Sequence, residues 1–199
     1  MEEKNFEELY NESLKETKLE KTVTGTVIQV TSKGEIFVDL KCDNTLCEEL
    51  GAPREFQVIY TLTKEKMKIG VSWFNKDANR LTEAIFFKVY PTDSKIKLEK
   101  LGGFIDPYTV VGKGSKNLHA VRNVILGNDK NTIKITNLTS PLLSIGKGKI
   151  LEFDDKFEEI EAGLSYVLYN NVWGTNFPLW YEENALFEFE INADSYIDF

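Results

Sequence analysis

The chain has 199 residues, 42% of them hydrophobic, 12% aromatic and 28% charged, with a net charge of −8. That is the make-up of a globular chain able to build a sizeable core, not of a disordered one. No apolar run approaches the roughly 18 residues that span a bilayer, and an acidic balance argues against a nucleic-acid binder. The charge is uneven: net −3 over residues 1–41, +6 over 42–150 and −11 over 151–199. The basic middle is therefore expected to be offset by the chain's own acidic end. The opening Met1-Glu2-Glu3-Lys4-Asn5 leads into no apolar stretch. No secretory signal is expected, and the cytoplasm is the expected compartment.

Residues 5–17 read as a helix. Asn5 stands at the cap with Glu8 three positions on, and Phe6, Leu9, Tyr10 and Leu14 share one face. From residue 22 the period changes to that of strands. Residues 22–31 and 35–40 flank the turn Ser32-Lys33-Gly34, and 55–62 and 67–73 form a second hairpin. Further strands are expected over 84–90, ending at Pro91, then over 95–99, 120–126, 132–136, 150–153, 165–170 and 185–191. The connections are short and carry Gly, Asn, Asp and Pro, with no helices between strands. This spacing predicts a mostly β, antiparallel sandwich or barrel with one N-terminal helix. The texture changes over residues 41–52, which divides the chain into 1–41 and 42–199.

Most of the familiar chemistry is missing. Cys42 and Cys47 are the chain's two cysteines and His119 its one histidine, so Cys and His cannot fill a zinc site. The cysteines read as free thiols, and neither a metal nor a cofactor is expected. A Ser-His-Asp system would have to run through His119, but no Gly-x-Ser-x-Gly elbow is present. Gly112-Lys113-Gly114-Ser115 and Gly146-Lys147-Gly148-Lys149 neither complete a dinucleotide fingerprint nor open a helix, so both read as turns. The pairs Asp154-Asp155, Glu158-Glu159 and Glu182-Glu183 are sequence neighbours, which on a strand point to opposite faces.

Residues 168–181 stand apart, concentrating Tyr169, Trp173, Phe177, Trp180 and Tyr181 with Asn170, Asn171 and Asn176. Aromatic faces stack on sugar C–H surfaces, and amides supply donors and acceptors for hydroxyls. The alternative is a rigid loop whose Asn side chains bond to backbone.

The same segment, Asn170 to Tyr181, resembles the closing segment of a glycoside-hydrolase-like family related to the family-38 alpha-mannosidases. Glu49-Leu50-Gly51-Ala52-Pro53, the block from Trp73 to Ala84, Lys100-Leu101-Gly102, Asp106-Pro107, Leu118-His119-Ala120 and Ser140-Pro141-Leu142 resemble further blocks in the same order. The resemblance covers residues 48–191. It implies the C-terminal β-sandwich region of such enzymes, a portion of a mutarotase-like supersandwich, without the α/β domain that carries their zinc and catalytic carboxylates. Residues 1–41 resemble the start of an S1-type RNA-binding domain, through Phe6-Glu7-Glu8-Leu9, Val23 to Ile28 and Gly34 to Leu40, with Phe37 at a stacking position.

These readings together predict a non-catalytic sandwich of glycosidase origin with a carbohydrate ligand. Its binding residues are expected to be Trp73, Asn75, Arg80, Glu83, His119, Asn171, Trp173, Asn176 and Trp180. Arg80 and Glu83 are the expected ion pair, since an Arg fork suits a carboxylate. The alternatives are an S1-like RNA-binding module, or a glycosidase subunit whose partner supplies the catalytic domain. Neither a membrane nor a nucleic-acid partner is expected in the leading reading.

Overall fold

The computed structural model describes residues 24–91, 95–110, 116–127, 131–150, 156–172 and 180–193. The helix expected over 5–17 lies outside them, as does most of the strand expected over 150–153.

Among the described residues the chain is mostly strand. The order is β1 (Thr26–Val30), β2 (Glu35–Lys41), α1 (Asn44–Leu50), β3 (Glu55–Leu62), β4 (Lys66–Phe74), β5 (Ala84–Val89), β6 (Lys95–Lys100) and β7 (Gly103–Ile105). Then come α2 (Pro107–Val110), β8 (Leu118–Ala120), β9 (Asn123–Gly127), β10 (Thr132–Asn137), β11 (Leu142–Ile145), a 3₁₀ turn (Ile160–Ala162), β12 (Leu164–Asn170) and β13 (Ala185–Ala193). No helix among the described residues is long and apolar enough to cross a membrane.

The strands make two sheets, ordered β1-β2-β3-β4-β13-β10-β9-β6-β7 and β5-β12-β11-β8. Every pairing among the described residues is antiparallel. The first hairpin closes through Gly34, held at φ 84, where a Cβ would meet the Leu62 carbonyl oxygen at 2.6 Å. β2 then pairs with β3 along seven positions, Glu35 to Lys41 against Thr61 to Glu55. Between them, residues 44–50 fold as a helix, where the sequence predicts no helix between strands. Asp43 caps it by accepting the Thr45 N–H at 2.9 Å, and Gly51 ends it in the left-handed region at φ 67.

Alternation places one face of each strand inward. In the large sheet Ile69, Val71, Trp73, Ile96, Leu98, Val124, Leu126, Ile135 and Phe189 are buried. From the small sheet Leu143, Ile145, Leu164, Tyr166 and Leu168 join them in one core. Phe189 bridges the layers, with its ring 4.5 Å from Phe87 and 5.0 Å from Tyr166. Each fully buried side chain of this kind stabilises by about 1.5–3 kcal/mol. The core reaches Phe56, Val58 and Tyr60 on β3 and stops there. β1, the edge strand, is exposed along its whole length.

Register fixes which connections meet. Lys41 is opposite Glu55, Glu55 opposite Phe74, Trp73 opposite Ala185, and Asn170 opposite Ala84. The β2–β3, β4–β5 and β12–β13 connections therefore converge at one end of the molecule. The 3₁₀ turn and the start of β6 lie at the opposite end.

Candidate functional site

The converging connections build a polar end over the aromatic edge of the core. Trp73 is its floor. The indole is 1% exposed, lies against Phe56 and Phe187, and donates Nε1–H to the Glu183 carbonyl at 3.2 Å. It presents no face to solvent, so it supports the end from beneath. Just beyond it Asn75 turns the chain through the left-handed region at φ 54, and its N–H donates to the Asn184 Oδ1 at 3.0 Å.

Next in sequence is Lys76, whose side chain is fully buried. Its Nζ lies 2.7 Å from Glu83 Oε1 and donates to the carbonyls of Gly51 at 3.3 Å and Asp77 at 3.2 Å. The ammonium also sits 5.4 Å from the centre of the Tyr169 ring. One cation thus ties α1's C-terminal cap, the β4–β5 connection and the end of β12 together. Tyr169 stacks obliquely on Tyr181, ring centres 5.2 Å apart. Burial, and then the Glu83 charge, push the Tyr169 hydroxyl up to about 12. It stays protonated at any ordinary pH.

This corrects the expected Arg80–Glu83 ion pair. Glu83 is neutralised by Lys76, and Arg80 instead lays its guanidinium over the Trp180 ring, 5.0 Å from the centroid. Residues 75–83 are an irregular connection, not helix, so a spacing of three does not bring side chains together. Trp180 remains 48% exposed, which leaves ring surface for a ligand. Asn171 is buried and bonded to backbone through both ends of its amide. Its Oδ1 accepts the Glu83 N–H at 2.7 Å, its Nδ2 donates to the Leu81 carbonyl at 2.6 Å, and its own N–H donates to the Glu83 carbonyl at 3.1 Å. At the rim Arg54 pairs with Asp77 at 2.7 Å, both exposed.

Six of the nine expected residues therefore meet at this end: Trp73, Asn75, Arg80, Glu83, Asn171 and Trp180. Trp173 and Asn176 lie outside the described residues. His119 is not part of it. It sits on β8, the edge of the small sheet opposite β5. There its Nε2 donates to the Lys116 carbonyl at 2.8 Å, which leaves Nδ1 to face the Lys100 ammonium at 3.4 Å. Burial, opposed by the Lys116 carbonyl and helped by the Lys100 charge, holds the imidazole below its usual pKa.

Sequence reasoning passed over Lys76, Tyr169 and Asn184 as site residues. Lys76 lay within a block already singled out, but nothing in its neighbours marks it as buried, and lysine almost never is.

The opposite end holds a cavity of about 350 Å³ lined by Lys95, Lys97, Asp106, Tyr108, Glu159 and Glu161. Here the Tyr108 hydroxyl donates to the Glu158 carbonyl at 3.2 Å. Burial, then Glu159, Glu161 and Asp106, push it up to about 12. Among the described residues no group of three or more His, Cys, Asp or Glu is placed to hold a metal ion.

No protein-family model matches the chain, and no curated protein does. Among solved structures the chain is similar to a galactose mutarotase related enzyme from Lactobacillus acidophilus. The two are 13% identical, the match covers 87% of this chain and 72% of that one, and the TM-score is 0.45.

Proposed function

We propose that this chain is a non-catalytic β-sandwich that binds carbohydrate at the end where its three connections converge. The observation that carries the reading is the Arg80–Trp180 stack. A half-exposed indole, steadied by a guanidinium over its ring, offers a flat apolar surface beside polar groups, which is what a sugar ring's C–H face requires. Glu83 and Asp77 each have a cation within 2.7 Å, so these carboxylates serve the framework and not a reaction. The finer reading follows the resemblance of residues 48–191. The sandwich is of family-38 glycosidase type, a portion of a mutarotase-like supersandwich, with residues 1–41 an S1-like addition. A partner supplying a catalytic α/β domain, and a cytoplasmic location, belong to the same proposal.

Titration calorimetry with mannose-containing oligosaccharides tests it. Trp180→Ala is expected to weaken binding by about 1–3 kcal/mol, the scale of losing an aromatic contact at a binding surface, while the melting temperature stays nearly unchanged. No heat with the parent chain, or equal affinity in the variant, would overturn the reading. Salt-sensitive binding of single-stranded RNA in place of sugar would shift it to the S1-like alternative.

A further inference from the structure

Cys42 and Cys47 bracket the first turn of α1. Asp43 is the capping residue, with extended backbone and its carboxylate on the Thr45 N–H. Cys42 thus stands immediately before the cap and Cys47 at the fourth helical position. That is the spacing at which two side chains pack across a helix start. Here both sit against one stretch of chain: the Cys47 thiol points at the Pro53 carbonyl, 3.8 Å away, and the Cys42 N–H donates to the adjoining Arg54 carbonyl. Both thiols are free. Cys47 is 1% exposed, whereas Cys42 is half-buried and has its N–H anchored on the Arg54 carbonyl at 3.2 Å.

We propose that Cys42 and Cys47 are a modification site, a dithiol that closes reversibly to an intrachain disulfide, with Cys42 the attacking and Cys47 the resolving residue. The oxidant is a small-molecule disulfide such as oxidised glutathione. Cys42 gives its proton to solvent, and its thiolate attacks one sulfur of the oxidant. The oxidant's S–S bond breaks, one glutathione leaves as a thiolate and takes up a proton, and the other half stays on Cys42. Cys47 then gives up its proton, and its sulfur attacks that of Cys42 and expels the second glutathione. Two protein thiols are oxidised, one disulfide is reduced to two thiols, and the protons balance. Closure brings the two sulfurs to about 2 Å from each other across the first helical turn.

Exposure sets the order of attack, because a small disulfide can reach Cys42 but not Cys47. Burial, then Cys42 itself, push the Cys47 thiol up to about 11. Closure is therefore slow at neutral pH and gains about tenfold per pH unit below that value, following the thiolate fraction. The site has a structural neighbour that matters. The Cys47 carbonyl accepts the Gly51 N–H at 3.1 Å, and the Gly51 carbonyl accepts from Lys76. Closing the ring therefore clamps the helix that caps the buried ion pair. None of this depends on the carbohydrate reading.

The full-length chain is equilibrated with reduced and oxidised glutathione at several pH values, acid-quenched, alkylated and weighed by mass spectrometry. The expected product is a monomer lighter by two hydrogens, unalkylated at both cysteines, with a peptide linking Cys42 to Cys47. Cys47→Ala, which keeps the buried position apolar, accumulates glutathione on Cys42. Cys42→Ala leaves Cys47 unmodified as long as the chain is folded, as its circular dichroism monitors. A parent chain that stays reduced, that stops at glutathionylated Cys42 at every pH, or that links only between two chains overturns the proposal. So does closure whose rate does not rise with pH.

Discussion

The two ends of this molecule use the same residue types to opposite effect. Where the connections converge, Lys76 and Glu83 face each other at 2.7 Å with side chains 0% and 15% exposed, roofed by Tyr169. At the far end Lys149 and Glu158 are 2.8 Å apart at 17% and 20%, next to an open cavity whose other charged groups reach solvent. The distances are nearly equal, so distance does not separate the two pairs. What separates them is what else holds each cation and how much water remains. Lys76 has two backbone carbonyls besides its carboxylate, and so few alternatives that its removal strands a charge. Glu158 keeps partial solvent as a substitute partner. A pair of the first kind locks three chain segments into one arrangement, and a pair of the second kind trims the edge of a loop.

The largest test of this contrast is Lys76→Ala. It leaves Glu83 Oε1, the buried oxygen of that carboxylate, without its cation. The expected loss is about 3–5 kcal/mol of unfolding free energy, the range for breaking a buried pair. Urea melts would measure it. The double change Lys76→Met with Glu83→Leu removes both charges and is expected to recover much of that loss. If Lys76→Ala costs less than about 1 kcal/mol, the two ends are alike and the comparison fails.

How much of this was legible beforehand depends on whether the signal was local. The β3–β4 hairpin was read to within a residue at each end, because alternation runs unbroken on both sides of a polar turn at residues 63–65. β7, β8 and β11 are three or four residues long, too short for a period to register: no strand is expected at β7 or β11, and β8 meets the strand expected over 120–126 only at Ala120. The insertion of β13 between β4 and β10 is a pairing across more than a hundred residues and leaves no mark in any window. At the site, the polar-aromatic blocks around Trp73 to Ala84 and Leu168 to Tyr181 were recognisable by composition, and Asn171 and Trp180 do meet Glu83 and Arg80. Which cation takes Glu83 was not recognisable. That choice is made by the fold, which turns Lys76 inward and its neighbour Asp77 out. His119 was grouped with the site by resemblance alone, and sheet order puts it on the opposite edge.

A middle-sized test lies at the far end. The ion pair and hydrogen bond with Lys149 hold the Glu158 carboxyl below the usual carboxylate range, with the Lys147 N–H helping and burial opposing. Its folded pKa is therefore below its unfolded one of about 4.3. The pair's contribution is present in full above that pH. It is lost as pH falls from there through the folded value, because the unfolded chain takes the proton first. Glu158→Gln is expected to cost about 1 kcal/mol or less at pH 7, and the cost should shrink toward pH 3. Melting temperatures of parent and variant measured side by side across that range would show the curves converging. A cost that grows as pH falls would contradict the assignment.

The smallest expected effect sharpens the comparison most, because it comes from the converging end itself. Arg54 and Asp77 are 2.7 Å apart, as close as Lys76 and Glu83, yet their side chains are 40% and 58% exposed. If position at that end were what made an ion pair strong, this one should be strong too. If burial is what matters, Asp77→Asn should cost no more than about 0.5 kcal/mol, and less in high salt, where exposed charges are screened. Asparagine is the right replacement because the Asp77 backbone carbonyl must stay where it is to accept from Lys76 at 3.2 Å. Urea melts at low and high ionic strength separate the two accounts. A salt-independent loss of several kcal/mol would mean that the carboxylate of Asp77, and not only its carbonyl, belongs to the buried network around Lys76.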